Sequence, residues 1–357
     1  MEIRGQDQRG SAVEKANAKV KMSSMISMTQ EPYTVSILVP VYGVEKYIER
    51  CSRSIFEQTY HDLDIVFVDD CTPDKSIEIL KRVLEDYPDR KAQTRIIRHE
   101  QNRGLSAARN TAVAAATGTF LTHVDSDDWI ERDAVETMVK KQVETGAEIV
   151  AGKKVINNSE PYDRYSCPAY KNKFEYMEDL LLGLWPHECW GSIIKRSLYT
   201  NNNLRNLEGQ NQCEDFRMML MLLWYAKSEC NLDKVVYHYF MSEDSYCRSK
   251  KTWEQMKAMQ SQNMNNVVST TTFLKDKDKK LYFLSCKNTI NTAYVFMMDS
   301  LHHHDYRWFR VMCSTVLSYP LAVINKTLGW KATLLFCLPM KRFTFSVYQY
   351  LIDVYSR

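Results

Sequence analysis

Between residues 35 and 151 the chain alternates two hydrophobic patterns. Residues 35–39, 65–68 and 120–124 are short, almost unbroken apolar runs, and Ile96-Ile97 and 148–151 are weaker versions of the same. Unbroken apolarity suits strands covered on both faces, as in a mostly parallel sheet; a sheet with one wet face shows alternation instead. Between the runs, apolar positions recur at helical spacing. Ile48, Cys51 and Ile55 share one face, and Ile77, Leu80, Leu84 and Tyr87 share another. Thr72-Pro73 reads as an N-cap followed by proline in the first turn. The alanine-rich stretch 105–117 predicts a helix stopped by Gly118; Val135, Met138, Val139 and Val143 predict another, stopped near Gly146. Strand and helix alternate, which predicts a doubly wound α/β domain.

Beyond 151 the pattern loosens. Residues 152–172, with Pro161 and Pro168, predict a loop, 174–185 a helix and 190–194 a short strand. The Asn- and Gln-rich stretch 200–212 predicts a mobile loop. A helix rich in Met and Leu follows over 213–226, then a strand over 235–240. From about 250 the chain reads helical, with a solvated turn at the charge run 275–280. The expected units are a disordered tail (1–33), an α/β domain (34–248, with halves 34–151 and 152–248) and a helical C-terminal region (249–357).

Charge and cysteine usage narrow the classes. The net charge of +3 over 357 residues does not argue for nucleic-acid binding. Ten cysteines are scattered with no CxxC pair, which reads as reduced thiols and not as a disulfide framework or zinc site. Residues 1–31 are polar and hold no secretory h-region, and Met22, Met25 and Met28 each offer a later start. No window offers about 18 consecutive apolar residues, so a spanning helix is not expected. Residues 306–357 differ from the rest: seven basic residues stand against one acid, Asp353, and eleven are aromatic. Cations and rings together suit an interfacial segment on anionic headgroups. The plainer reading is a set of helices packed on the main domain. The expected location is cytoplasmic, peripheral at the inner face of the membrane.

Ligands of open α/β sheets bind at the carboxyl ends of the strands. Here those ends carry Pro40-Val41-Tyr42, Asp69-Asp70, Asn102-Arg103-Gly104 and Asp125-Ser126-Asp127-Asp128. Five aspartates on one edge would repel one another, and helix capping explains only one or two. A bound divalent cation explains the cluster, and hard oxygen ligands point to Mn²⁺ or Mg²⁺. Such an ion takes phosphate oxygens, so the substrate is expected to be a phosphorylated compound or nucleotide. A single glycine, Gly43, follows the first strand, so the GxGxxG dinucleotide fingerprint is missing; so are a P-loop and a glycine-rich nucleotidyltransferase loop.

Five motifs in order resemble those of the family 2 glycosyltransferases of GT-A fold: SILVPVYG at 36–43, VDDCTPDKS at 68–76, NRGLSAARN at 102–110, VDSDDW at 124–129 and CEDF at 213–216. The resemblance spans about residues 34–245 and implies an inverting enzyme using a nucleotide-diphospho-sugar. It implies that Pro40, Val41, Tyr42 and Asp70 hold the nucleobase, commonly uracil, with Asp69 beside them. Asn102 and Gly104 would line the nucleotide site, and Arg109 and Asn110 would lie under the diphosphate and carboxylates. Asp125, Ser126 and Asp127 match the DxD motif, with Asp125 and Ser126 on the nucleotide and Asp125, Asp127 and Asp128 at the metal. Asp215 matches the catalytic base; Glu214 and Trp190 fall on the acceptor side. Tyr237-His238-Tyr239, with Ser245, is similar to a late motif that closes over the diphosphate. Gly43 where the family usually has Asn, the Cys71-Thr72-Pro73 turn, and Ser192 where Lys is common are departures.

The expected reaction moves a sugar, from a UDP-sugar first of all, to a glycan or lipid-linked glycan in cell-surface polysaccharide synthesis, with no nucleic-acid partner. Two rivals stand beside it: a sugar nucleotidyltransferase, and a catalytically inactive nucleotide-sugar-binding scaffold.

Overall fold

β1 (Val35–Val41) and β2 (Leu63–Asp69) are buried at every position, which is why their sequences lack alternation. They pair in parallel, and β1 also pairs in parallel with β4 (Phe120–His123). β3 (Thr94–Arg98) extends the parallel edge beyond β2. The chain is described here by a computed structural model covering residues 33–156, 172–184, 188–241 and 249–329. The described residues from Thr34 onward belong to one compact unit. The expectations at 1–32, Pro161, Pro168, Ser245 and 330–357 lie outside the described residues.

The remaining strands are β5 (Trp129–Ile130), β6 (Ile149–Ile156), β7 (Ser192–Lys195) and β8 (Glu229–Tyr239). The sheet has eight strands in the order β3-β2-β1-β4-β7-β6-β8-β5. β7 runs antiparallel to both β4 and β6, and β5 antiparallel to β8. β6 and β8 are parallel. The sheet is thus mixed and mostly parallel, with helices α1 (Ile48–Phe56), α2 (Ser76–Glu85), α3 (Pro88–Lys91), α4 (Leu105–Ala115) and α5 (Ala134–Thr145) between its strands.

The second half adds α6 (Lys173–Leu181), α7 (Arg196–Asn201) and α8 (Glu214–Tyr225). Then come α9 (Trp253–Leu274), α10 (Lys279–His302), α11 (Tyr306–Leu317) and α12 (Leu321–Leu328). One apolar core joins Leu38 and Leu121 of the sheet to Met177, Leu220 and Leu222 and on to Val267, Leu274 and Leu281. The helical region is therefore seated on α8. A second core gathers Met264, Ile290, Met297, Phe309, Val316 and Ile324. The described part of the basic, aromatic region, 306–329, thus packs Phe309, Met312 and Val316 inward. No helix among the described residues is long and apolar enough to cross a membrane.

Three local expectations need correction. Residues 152–156, expected in a loop, are strand, because β6 continues to Ile156 beside β8. α2 begins at Ser76, not after Thr72, because Asp74 takes Thr72 Oγ1, Ser76 N and Ser76 Oγ and closes a turn over Pro73. Residues 200–212 are pinned. Asn110 and Asn206 exchange two hydrogen bonds of 2.8 and 2.9 Å, Arg103 pairs with Glu208 at 2.9 Å, and Ser106 N donates to Asn211 Oδ1 at 3.0 Å. Amide-rich composition reads as loose in sequence, but the Asn206 backbone and the side chains of Glu208 and Asn211 find partners across the edge of the sheet.

Candidate active site

The loop after the carboxyl end of β4 is joined to the N-terminus of α8. At the centre is Arg109, which α4 carries to the edge with its side chain 3% exposed. Its Nη1 donates to Glu214 Oε1 at 2.8 Å and Asp215 Oδ1 at 2.5 Å, and its Nη2 to Asp125 Oδ1 at 2.8 Å. One guanidinium so joins Asp125 in the loop after β4 to Asp215 at the start of α8, 90 residues apart in sequence. Arg109, Asp125, Glu214 and Asp215 are therefore brought together. Asp215 keeps 15% and Asp125 25% of their side chains exposed.

Glu214 is pushed up to about 8 by burial first and by its neighbour Asp215 second, against the pull of Arg109. Its pKa is thus higher folded than unfolded. Between about 4.5 and about 8 the folded chain holds a proton that the unfolded chain has released, so stability falls as pH rises through that window. The slope contributed by one such proton is about 1.4 kcal/mol per pH unit at most. Urea unfolding from pH 5 to pH 8 is expected to show this decline, and Glu214→Gln to flatten it. Equal slopes in the two proteins would refute the shift.

Asp127 lies beside Asp125, half-buried and raised to about 6 by burial and by Asp125. Asp128 is not available in the same way. Its Oδ2 accepts from Tyr237 Oη at 2.6 Å and its Oδ1 from Phe240 N at 2.7 Å, and the residue is fully buried. The expected trio at a metal therefore reduces to Asp125 and Asp127. No group of three or more His, Cys, Asp or Glu side chains among the described residues could hold an ion. Two half-buried, mutually repelling carboxylates still fit a hard divalent cation whose other ligands come from water and phosphate.

The nucleotide-side residues are at the expected edge, but two of them face inward. Asp70 is 2% exposed. Its Oδ1 meets His99 Nδ1 at 2.7 Å and Arg103 N at 2.9 Å, and its Oδ2 meets Gly104 N at 2.7 Å. Asp69 accepts from Thr72 N at 2.9 Å, and Thr72 Oγ1 accepts from Gly43 N at 2.8 Å. These aspartates fasten the turns that shape the site. Gly43 (φ +69°) and Cys71 (φ +57°) both have left-handed backbone, so two of the three departures from the family pattern lie in this fastened turn pair, while Ser192 opens β7. Tyr42, by contrast, is 48% exposed at the end of β1, beside the backbone of Pro40 and Val41. Asn102 is exposed, its Oδ1 accepting from Gly104 N at 3.0 Å. Ser126 is buried within the DxD loop. Gly104 has φ +86°, and a Cβ there would stand 2.5 Å from Asn211 Nδ2, so only glycine fits between the turn and the 206–212 segment.

Trp190 does not line an opening. It is 4% exposed and stacked on Tyr237 at 4.5 Å and Tyr239 at 5.5 Å. His238 turns to Glu131, with Nε2 2.6 Å from Oε1, and stacks on Trp129 at 4.8 Å. Sequence reasoning missed the roles of Tyr237 and Arg50. Tyr237 Oη also accepts from Asp125 N at 3.0 Å, so it clamps the DxD loop at two points. Arg50 lies over Trp129 at 3.9 Å and Phe240 at 4.4 Å, and its Nη2 donates to the Asp127 carbonyl at 2.8 Å. The antiparallel β5–β8 pairing produces both arrangements, and two-residue β5 leaves no periodicity to read.

A GT-A sheet with a DxD loop, joined by an arginine to an acidic pair at a helix start, defines a glycosyltransferase domain. Residues 36–212 match the model of Glycosyl transferase family 2, and the chain belongs to that family. Glycosyltransferase GlyA of Streptococcus pneumoniae serotype 4 is 39% identical over 182 residues, covering 46% of this chain and 25% of GlyA. Uncharacterized glycosyltransferase EpsJ of Bacillus subtilis is 34% identical over 216 residues, covering 57% of this chain and 60% of EpsJ. The matches thus cover less than two thirds of either relative's length. In three dimensions the chain is similar to S. aureus TarS 1-349, solved in complex with UDP-GlcNAc. The TM-score is 0.70 at 18% identity, over 90% of this chain and 91% of that one, which establishes the fold.

Proposed function

We propose that the chain is an inverting glycosyltransferase that moves a sugar from a nucleoside-diphospho-sugar, a UDP-sugar first of all, to a glycan or lipid-linked glycan acceptor. The observation that carries this reading is the Arg109 knot. It holds a DxD carboxylate and the acidic pair of α8 at one point, where a donor and an acceptor hydroxyl could both reach them. Asp215 is the general base. Its ion pair with Arg109 orients the carboxylate, and its partial exposure lets an acceptor hydroxyl approach and give up its proton. The oxygen then attacks the anomeric carbon opposite the nucleotide in a single displacement, so the configuration inverts. Tyr42 offers an aromatic face to the base of the nucleotide. Glu214, buried against Arg109, positions Asp215 and does not touch the acceptor directly.

Asp125 and Asp127 would hold Mn²⁺ or Mg²⁺, and such an ion supplies neutralisation of the charge that develops on the leaving diphosphate. Tyr237 keeps both carboxylates at the loop's edge by holding the Asp125 amide and Asp128.

Thermal melting against nucleoside diphosphates tests the reading. UDP with Mn²⁺ is expected to raise the melting temperature, corresponding to about 2.7 kcal/mol at a hundredfold excess over Kd. Asp127→Ala is expected to remove the dependence on Mn²⁺. A shift with GDP alone would keep the reaction and change the donor. No shift with any nucleotide, with or without metal, would overturn the proposal.

A further inference from the structure

The segment 210–213 has ligand-shaped surroundings on two sides. On one side it is bound to the nucleotide turn, with Ser106 N reaching Asn211 Oδ1 at 3.0 Å and Ser106 Oγ reaching the Gln210 carbonyl at 2.7 Å. On the other side it is bound to α9. Asn211 N donates to Gln262 at 2.9 Å, Asn266 Nδ2 to the Gln212 carbonyl at 2.7 Å, and Asn263 Nδ2 to Cys213 Sγ at 2.9 Å. Against this second side lies an open cleft of about 340 Å³, lined by Gln212, Lys251, Met256, Met259, Asn263 and Phe296 among others.

We propose, building on the transferase reading, that this cleft is an acceptor subsite that takes one hexopyranose ring of the glycan. A pyranose has an apolar C–H face and a rim of hydroxyls, and the cleft offers one surface for each. Met256, Met259 and Phe296 are half-buried and form an apolar wall. Asn263 Oδ1 is buried and has no hydrogen-bond partner among the described residues. An unmet buried acceptor is costly, and a turn of the Asn263 amide toward the cleft would let a sugar hydroxyl supply the missing donor. The volume falls within the roughly 300–1,000 Å³ of small-molecule sites.

Position supports the same assignment. Gln212 is three residues ahead of Asp215, and the nucleotide turn is on the opposite side of the same segment. Cys213, which Asn263 touches, has φ +56° and is the residue from which α8 starts. A ring seated against Asn263 therefore bears on the backbone that presents the base. The family model's match ends at residue 212, ahead of α10, so Phe296 is an acceptor determinant that the family motifs do not encode.

Saturation-transfer NMR on the full chain, saturated with UDP and diamagnetic Mg²⁺, tests the assignment with methyl β-glucopyranoside and methyl β-glucopyranosiduronate as probes. Ring-proton signals are expected from wild type for at least one probe. Phe296→Ala and Met259→Gln are each expected to weaken them by roughly fivefold or more. The second variant guards against a packing effect of the first, and the UDP melting shift checks that both still fold and bind nucleotide. Equal signals in all three proteins, or none in wild type while UDP binds, would overturn the subsite. Failure of the transferase reading would show separately, as wild type neither binding UDP nor hydrolysing any UDP-sugar.

Discussion

Asp215→Asn is expected to reduce sugar transfer by about 10²–10⁴-fold, the usual contribution of a positioned general base. The substitution keeps the shape of the side chain and an oxygen that can accept from Arg109 Nη1, so the 2.5 Å contact has a near-equivalent. It removes the ability to take a proton. UDP binding, read as a melting shift, is expected to survive, because the proposed role of Asp215 is toward the acceptor hydroxyl and not the nucleotide. Transfer within a few-fold of wild type would assign the base elsewhere. Substitution of Glu214 by Gln is the control, since Glu214 is buried against the same arginine and is predicted to cost far less. Loss of one charge at 215 also removes the second-largest cause of the raised Glu214 pKa, so the decline of stability with pH should become shallower in Asp215→Asn.

Arg109→Met carries the second large effect, on stability. The methionine leaves Asp125, Glu214 and Asp215 facing one another around a position whose own side chain is buried, with no arginine between them. Breaking a buried ion pair by removing one partner costs about 3–5 kcal/mol, and here one residue serves three carboxylates. The sign of the pH dependence follows. Without the arginine the three carboxylates repel one another at close range, so the penalty is absent when all are protonated and grows as pH rises. Urea unfolding should therefore show a larger loss at pH 8 than at pH 5. Arg109→Lys is expected to fall between, since an ammonium carries the charge without the two-nitrogen fork that reaches both the β4 loop and α8. A variant as stable as wild type at pH 8 would mean that the knot contributes nothing to the fold.

The parallel half of the sheet was legible because burial on both faces leaves an unbroken apolar signature, as at Val35–Val41 and Leu63–Asp69. The helix stop at Gly146 was legible because its φ of +70° is a conformation that glycine alone adopts cheaply. The site was legible where chemistry concentrates charge. Asp125, Asp127, Glu214 and Asp215 announce themselves, and Arg109 is the natural counter-charge. Inward or outward facing was not legible. Asp70 and Asp128 read like Asp127 in one dimension, yet hydrogen bonds from the 103–104 amides and from Tyr237 bury them. Those partners lie 33 to 109 residues away. Trp190 was ambiguous for the same reason, because two tyrosines of β8 decide its environment.

The placement of β7 has a consequence for making hybrid enzymes. Residues 192–195 supply the strand that fills the gap between β4 and β6, and Arg196, next along the chain, anchors the junction with Nε donating to the Gly118 carbonyl at 2.7 Å. A graft that joins the first 151 residues of one relative to the remainder of another therefore does not meet at a single seam. It creates new side-chain contacts along both edges of β7. Swapping acceptor preference between relatives calls for crossovers that carry β4, β7 and the Gly118 turn as one block, with the exchange confined to the helices and loops that the block supports.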